Sequence, residues 1–201
     1  MKLYYSPGAC SLSPHIVLAE TGLPYTLERV DLKTRKTEAG IDFSTINSKG
    51  YVPVLRLDDG AFLTEGPAIV QYIADRAPDS GLAPAAGTLP RYRLQEWLSF
   101  IGTELHKTFS PLWHSQNDEI RQAASTALER RFDWLTPQLV KRPFLMGDRF
   151  TVADAYLFTV LNWTSFLKIP LDRWQALSAY LAQIAARPAV LRTLDEEGLR
   201  R

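Results

Sequence analysis

A proline- and glycine-rich break divides this chain into two parts with different hydrophobic periods. Residues 77–90 read APDSGLAPAAGTLP and hold three prolines and two glycines. Proline removes a backbone donor and fixes φ, and glycine readily turns the chain, so neither a helix nor a strand continues through such a stretch. Upstream, short strand patterns alternate with helix patterns. Downstream no convincing strand pattern appears, and the helical period dominates. A chain of 201 residues suits one large domain or two small ones. The break favours two, an α/β domain over 1–80 and an all-helical domain over 88–201.

Within the first part, Lys2–Tyr5 predicts a strand and Ile16–Glu20 a helix. Tyr25–Val30 alternates polar and apolar residues as a second strand does. Residues 33–50 are polar and predict a loop with at most a short helix. Val52–Leu57 predicts a strand, Asp58-Asp59-Gly60-Ala61 a hairpin turn, and Phe62–Thr64 the partner strand. Ala68–Ala77 then carries Ala68, Ile69, Tyr72 and Ile73 on one helical face. The order is a βαβ unit followed by ββα. In the second part, helices are predicted over Tyr92–Phe109, Ile120–Val140 and Trp174–Ala186, the last stopped near Pro188. Thr151-Val152-Ala153-Asp154 is a capping box with Asp in the usual Glu place, opening a helix to Leu167.

The net charge is +1 with no block of like charge, which argues against nucleic acid or an acidic membrane as the main partner. No apolar run approaches the ~20 residues a membrane span requires. The N-terminus starts on strand-like residues and shows no signal-peptide pattern. A single cysteine forms no internal disulfide. These readings predict a cytoplasmic protein. Three scattered histidines and one cysteine have no metal-ligand spacing, so no metal is expected.

That cysteine, Cys10, lies in Ser6-Pro7-Gly8-Ala9-Cys10-Ser11, where a strand gives way to a helix. A lone cysteine is usually a small buried hydrophobe. At a helix start, however, the backbone N–H groups favour a thiolate and lower the pKa. Val52-Pro53 is either a trans proline at a strand edge or a cis bond. The cis form would turn the Val52 N–H and C=O outward to pair with an extended peptide. Thr64-Glu65-Gly66-Pro67 begins a helix with proline in its first turn. Gly66 there could seat a carboxylate and Glu65 an ammonium, which together suit an amino acid; a plain cap with a solvated Glu is the simpler alternative. In the helical part, Glu96, Ser99, Thr103, His106 and Ser110 form one polar stripe beside the apolar stripe Leu94, Leu98, Ile101 and Leu105. Polar stripes are usually solvated faces. This one is poor in Lys and Glu, which fits a partly enclosed cleft in which His106 could act on a thiol. His15 and His114 read as structural or surface residues.

Taken together, these segments resemble a bacterial beta-class glutathione transferase (glutathione S-transferase). The resemblance rests on MKLYYSPGACSLSPHI at 1–16, GYVPVL at 50–55, LTEGPAIVQYIAD at 63–75, ELHK at 104–107 and GDRFTVADAYLF at 147–158. These motifs run in family order over nearly the whole chain. The resemblance implies the glutathione transferase fold, an α/β thioredoxin-like N-terminal domain plus an all-α C-terminal domain. It implies a homodimer and glutathione as cosubstrate. It places the cysteinyl backbone of glutathione at Val52 before a cis Pro53, and the γ-glutamyl end at Glu65 and Gly66. Arg35 stands where the family usually has lysine and can meet the glycine carboxylate; Ser99 stands where it usually has asparagine and is shorter. Tyr51, Thr103 and Glu104 complete the implied glutathione site, with Thr103 and Glu104 reaching the neighbouring subunit's ligand. Cys10 and His106 are implied at the sulfur, where Cys10 can form a mixed disulfide with glutathione. Tyr51 and Trp163 are implied as walls of a site for a small apolar electrophile between the domains. The implied reaction is attack of the glutathione thiolate on that electrophile, with disulfide reduction or dehalogenation as related activities. A monothiol glutaredoxin-like oxidoreductase and a non-enzymatic apolar-ligand binder are the alternatives.

Overall fold

The computed structural model describes residues 1–200. Its contacts fall into two units, one of Met1–Ala83 joined by the residues from Ala186 onward, the other of Pro84–Ala185. The first boundary lies inside the proline- and glycine-rich break. The second differs from the sequence reading, which assigned everything after residue 88 to the helical part.

The first unit is built on a five-stranded sheet in the order β3-β2-β1-β4-β5. The strands are β1 (Lys2–Tyr5), β2 (Thr26–Asp31), β3 (Lys36–Thr37), β4 (Val54–Arg56) and β5 (Phe62–Thr64). β1 and β2 run parallel, joined across the sheet by helix α1 (Leu12–Thr21); the other three pairings are antiparallel. Leu3 pairs with Leu55, and Tyr4 with Val54. Because alternate residues point to opposite faces, these pairs feed two separate cores. Tyr4, Val54 and Val30 pack with Phe43 and Val52, covered in part by Ile46 and Ala9. The segment 33–50 is therefore only partly the polar loop expected. Phe43 and Ile46 pin its short 3₁₀ turn (Phe43–Thr45) to the sheet. That anchorage delivers the chain to Gly50–Pro53. Further fully buried side chains, among them Ile16, Val17 and Leu18 of α1 and Ile69, Val70 and Ile73 of α2 (Gly66–Arg76), belong to two helices packed on each other.

The helix expected to stop near Pro188 forms over Gln175–Ala185, and Pro188 then opens a further helix that the sequence reading lacked. Pro188 occupies the first turn of α8 (Pro188–Glu196), where a missing N–H costs nothing. α8 packs on α1 through buried Ala189, Val190 and Thr193. The Arg187 guanidinium grips Glu20 with two bonds of 2.7 and 3.0 Å, and Arg192 donates to the Ala19 carbonyl at 3.0 Å.

In the second unit, α3 (Leu89–Phe100), a π-helical stretch (Ile101–His106) and α4 (Lys107–His114) form one continuous rod. It is followed by α5 (Asp118–Val140), α6 (Val152–Phe166) and α7 (Gln175–Ala185). Asn117 caps α5 by accepting from the Ile120 N–H at 3.1 Å, and Asp118 and Glu119 oppose the positive end of its dipole. α6 is buried almost all round. Its start carries the expected capping box, with Asp154 accepting from the Thr151 N–H at 2.8 Å. The same buried carboxylate also takes the Leu145 N–H and the Tyr180 hydroxyl, both at 2.8 Å, while burial raises its pKa. Among the described residues, no helix is long and apolar enough to cross a membrane.

Candidate active site

Cys10 sits in a tight turn between β1 and α1. The Ser11 hydroxyl braces the turn by donating to the Ser6 carbonyl at 3.2 Å and accepting from the Ser6 N–H at 3.1 Å. Gly8 adopts φ 72°, a left-handed value natural to glycine, and donates its N–H to the Glu197 carboxylate at 2.8 Å. The Cys10 thiol donates to the Val52 carbonyl at 3.3 Å. Burial pushes its pKa up to about 12, outweighing the N–H groups of Cys10 and Ser11, and Glu65 adds a smaller push in the same direction. The expected low-pKa thiolate is therefore corrected. A carbonyl partner rewards the protonated sulfur, and the helix-start field does not overcome desolvation.

The Val52–Pro53 bond is cis. The Val52 carbonyl is not left open, as the sequence reading had it, because it holds the Cys10 thiol. Glu65 precedes α2 with φ 68°, a backbone region that non-glycine residues seldom adopt and that often marks functional sites. Its carboxylate receives the Lys49 ammonium at 2.6 Å and the Tyr51 hydroxyl at 2.8 Å, and Lys49 also reaches the Thr64 hydroxyl at 3.0 Å. In this structure the carboxylate is paired with the protein's own Lys49 ammonium, not with that of a ligand. The bond to Glu65 raises the pKa of both Lys49 and Tyr51. Gly66, the first residue of α2, carries one of the N–H groups that lack an intrahelical partner. Its Cα side lies open enough that an added methyl would meet only the Pro53 ring at 3.9 Å. Arg35 is exposed at φ 56°, with its carbonyl bound by the Phe43 N–H at 2.9 Å.

In the second unit the expected polar stripe separates. Leu94, Leu98, Ile101 and Leu105 are buried as predicted. Ser99 and Thr103 are exposed, and the Thr103 hydroxyl is turned back to the Ser99 carbonyl at 3.0 Å. Glu104 pairs with Arg131 of α5 at 2.5 Å. His106 turns to α6, where Nδ1 lies 2.7 Å from the Tyr156 hydroxyl and its ring stands edge-on to Trp163, centroids 4.8 Å apart. Burial, aided by Lys107, lowers the His106 pKa to about 4, so the ring is neutral at pH 7. Trp163 is only 6% exposed and also packs on Phe109, so it backs His106 more than it offers an open wall; Tyr51 is 45% exposed. No cluster of three or more potential metal ligands exists among the described residues.

Models of two protein domains match the chain. The glutathione S-transferase N-terminal domain covers residues 8–76 and the glutathione S-transferase C-terminal domain covers 100–188. Glutathione S-transferase GstA of Escherichia coli O157:H7 is 44% identical over 201 residues, all of both chains. The chain belongs to the glutathione S-transferase family. By that membership it is a glutathione transferase, and its two units correspond to the family's thioredoxin-like and helical domains. Among solved structures, a ternary complex of BphK, a bacterial glutathione transferase, superposes with a TM-score of 0.97 at 52% identity, over 99% of this chain and 100% of that one. A sphingomonad glutathione S-transferase complexed with glutathione gives 0.96 at 50% identity over the full length of both.

Sequence reasoning missed three participants. Lys49 looked like one more loop lysine. Tyr156 stood out only as part of the 147–158 motif. Glu197 lies in a tail whose return to the Cys10 turn no local pattern announces. Its side chain is fully buried and accepts from both Gly8 and His15 Nδ1, the latter at 2.9 Å. Glu196 meets His15 Nε2 at 2.8 Å. His15 is structural, as expected.

Proposed function

We propose that this glutathione transferase is of the bacterial beta class and acts as a cytoplasmic homodimer. It conjugates glutathione to a small apolar electrophile. Val52 pairs with the cysteinyl backbone of glutathione, Glu65 and Gly66 hold the γ-glutamyl ammonium and carboxylate, and Arg35 meets the glycine end. Cys10 and His106 act on the sulfur, and Tyr51 borders the electrophile. Thr103, with Ser99 and Glu104 on the same rod, faces the neighbouring subunit's ligand; Glu104 would first have to exchange Arg131 for it.

The observation that carries this reading is the Glu65 carboxylate, held at a left-handed backbone position and already closed on an ammonium. The γ-glutamyl ammonium takes the seat of Lys49. The raised pKa of Cys10 supports one activity over the other. A group that stays a thiol donates a hydrogen bond to a neighbouring thiolate and is a poor nucleophile. Cys10 thus stabilises the glutathione sulfur while that sulfur forms the new S–C bond and the electrophile's leaving group departs. This favours conjugation over a glutaredoxin-like cycle, in which Cys10 itself must attack. The test is turnover of glutathione with an aryl halide and, separately, with a mixed disulfide, for wild type and Cys10→Ala. Conjugation that survives in Cys10→Ala, reduced several-fold, supports the reading. Absence of conjugation in wild type with glutathione bound, or its complete loss in a folded Cys10→Ala, refutes it.

A further inference from the structure

The π-helical stretch ends on His106, and this is where the helical rod changes its register. The Lys107 N–H bonds back to the Gly102 carbonyl, five residues away, instead of four. One extra residue is thereby fitted into the turn, an arrangement that recurs at functional sites. Two positions apart, His106 and Glu104 lie on nearly opposite sides of the rod: His106 faces Tyr156 and Trp163 of α6, and Glu104 faces Arg131 of α5. Gly102 lies on the same side. A methyl at its Cα would meet the Tyr156 hydroxyl at 3.6 Å, an ordinary van der Waals contact, which places that hydroxyl directly against the rod.

From this geometry we propose that Tyr156 is a positioning residue that fixes the proton of His106 on Nε2, so that His106 meets the glutathione sulfur as a neutral hydrogen-bond donor and not as its base. The inference rests on the reading that His106 acts on that sulfur. Two arguments carry it. Nδ1 and the Tyr156 hydroxyl lie 2.7 Å apart, and a phenol, whose oxygen lone pair is delocalised into its ring, is a better donor than acceptor, whereas the bare nitrogen of a neutral imidazole is a good acceptor. A neutral imidazole has one donor and one acceptor nitrogen, and the bond made by one sets the state of the other. With the Tyr156 proton directed at Nδ1, the ring's own proton sits on Nε2. Buried Tyr156, 4% exposed, is held by packing in α6, and Trp163 limits the tilt of the imidazole from the other side. Both ring nitrogens are then committed. The proton lost when glutathione's thiol becomes a thiolate leaves to water or buffer, and the His106 Nε2–H bonds to the sulfur that remains.

The test is nitrogen NMR of protein labelled with ¹⁵N at histidine, with His106 assigned through His106→Gln, on wild type and Tyr156→Phe at pH 7. Phenylalanine keeps the ring and removes only the hydroxyl. Wild type should show a pyridine-like Nδ1 and a pyrrole-like Nε2. In Tyr156→Phe the two shifts should approach each other as the second tautomer becomes populated, and kcat/KM for conjugation should fall about 5- to 10-fold. In a His106→Ala background the same substitution should leave kcat/KM unchanged. A pyrrole-like Nδ1 in wild type, identical shifts in Tyr156→Phe, or an equal kinetic loss with His106 absent would each overturn the proposal. The NMR result needs no turnover, so it decides the tautomer even if the assignment of His106 to the sulfur fails.

Discussion

Glu197→Ala should be among the most destabilising single changes outside the apolar core. The Glu197 side chain is fully buried and takes two short hydrogen bonds, 2.8 Å from the Gly8 N–H and 2.9 Å from His15 Nδ1. Hydrogen bonds to a charged group contribute about 1.5–3 kcal/mol each, so losing both costs about 3–6 kcal/mol. In a protein of this size each kcal/mol moves the thermal midpoint by about 2–4 °C, which predicts a drop of about 6–24 °C. Glu196 provides the control. It also bonds His15, at 2.8 Å, and the Tyr25 hydroxyl at 3.2 Å, but its side chain is 37% exposed. Water replaces such contacts readily, and an exposed pair contributes about 0–1 kcal/mol, so Glu196→Ala should shift the midpoint by less than about 4 °C. Thermal unfolding of the full chain by circular dichroism measures both. Equal shifts for the two variants, or a shift below about 3 °C for Glu197→Ala, would refute the reasoning that burial makes this carboxylate a structural clamp. The clamp acts on the turn that carries Cys10, so Glu197→Gln, which keeps an acceptor and loses the charge, should fall between wild type and Glu197→Ala.

Glu65→Ala should weaken glutathione binding by about 1.5–3 kcal/mol, roughly 10- to 100-fold, because it removes a charge-assisted bond to an ammonium; calorimetry checks this, and unchanged affinity in a folded variant removes Glu65 from the site. Cys10 in the ligand-free protein should react with iodoacetamide more slowly than free cysteine at pH 8. Its rate should keep climbing with pH beyond the range where free cysteine levels off, because a folded pKa pushed up to about 12 leaves little thiolate below it. A rate plateau near pH 8 would contradict the assigned environment.

Much of the fold is legible in the sequence because its signals are local. The short apolar strand pattern at Lys2–Tyr5, the hairpin at Asp58–Ala61 and the capping box at Thr151–Asp154 each depend on residues within one turn or one pair of strands, and each forms where expected. The break over 77–90 separates the two units for the same reason. Phe43 and Ile46 were harder to read, since two apolar residues in a polar stretch give no period, yet they fasten that stretch to the sheet.

The sequence by itself determined which residues could do chemistry: one cysteine at a strand-to-helix turn, a Glu-Gly-Pro helix start and a histidine on a polar stripe. Tertiary structure decided what state those residues occupy. A local rule gives Cys10 a helix-start field and predicts a thiolate, but burial against the Val52 carbonyl, 42 residues away in sequence, keeps it a thiol. The stripe predicts one polar face, but in the fold His106 turns to Tyr156 of α6 while Ser99 and Thr103 stay exposed. Pro188 reads as a stop, and a helix does end just before it, but the packing of α8 on α1 makes it a start as well. Propensity and period act over a few residues, whereas desolvation and pairing depend on which distant groups the fold brings within 3 Å.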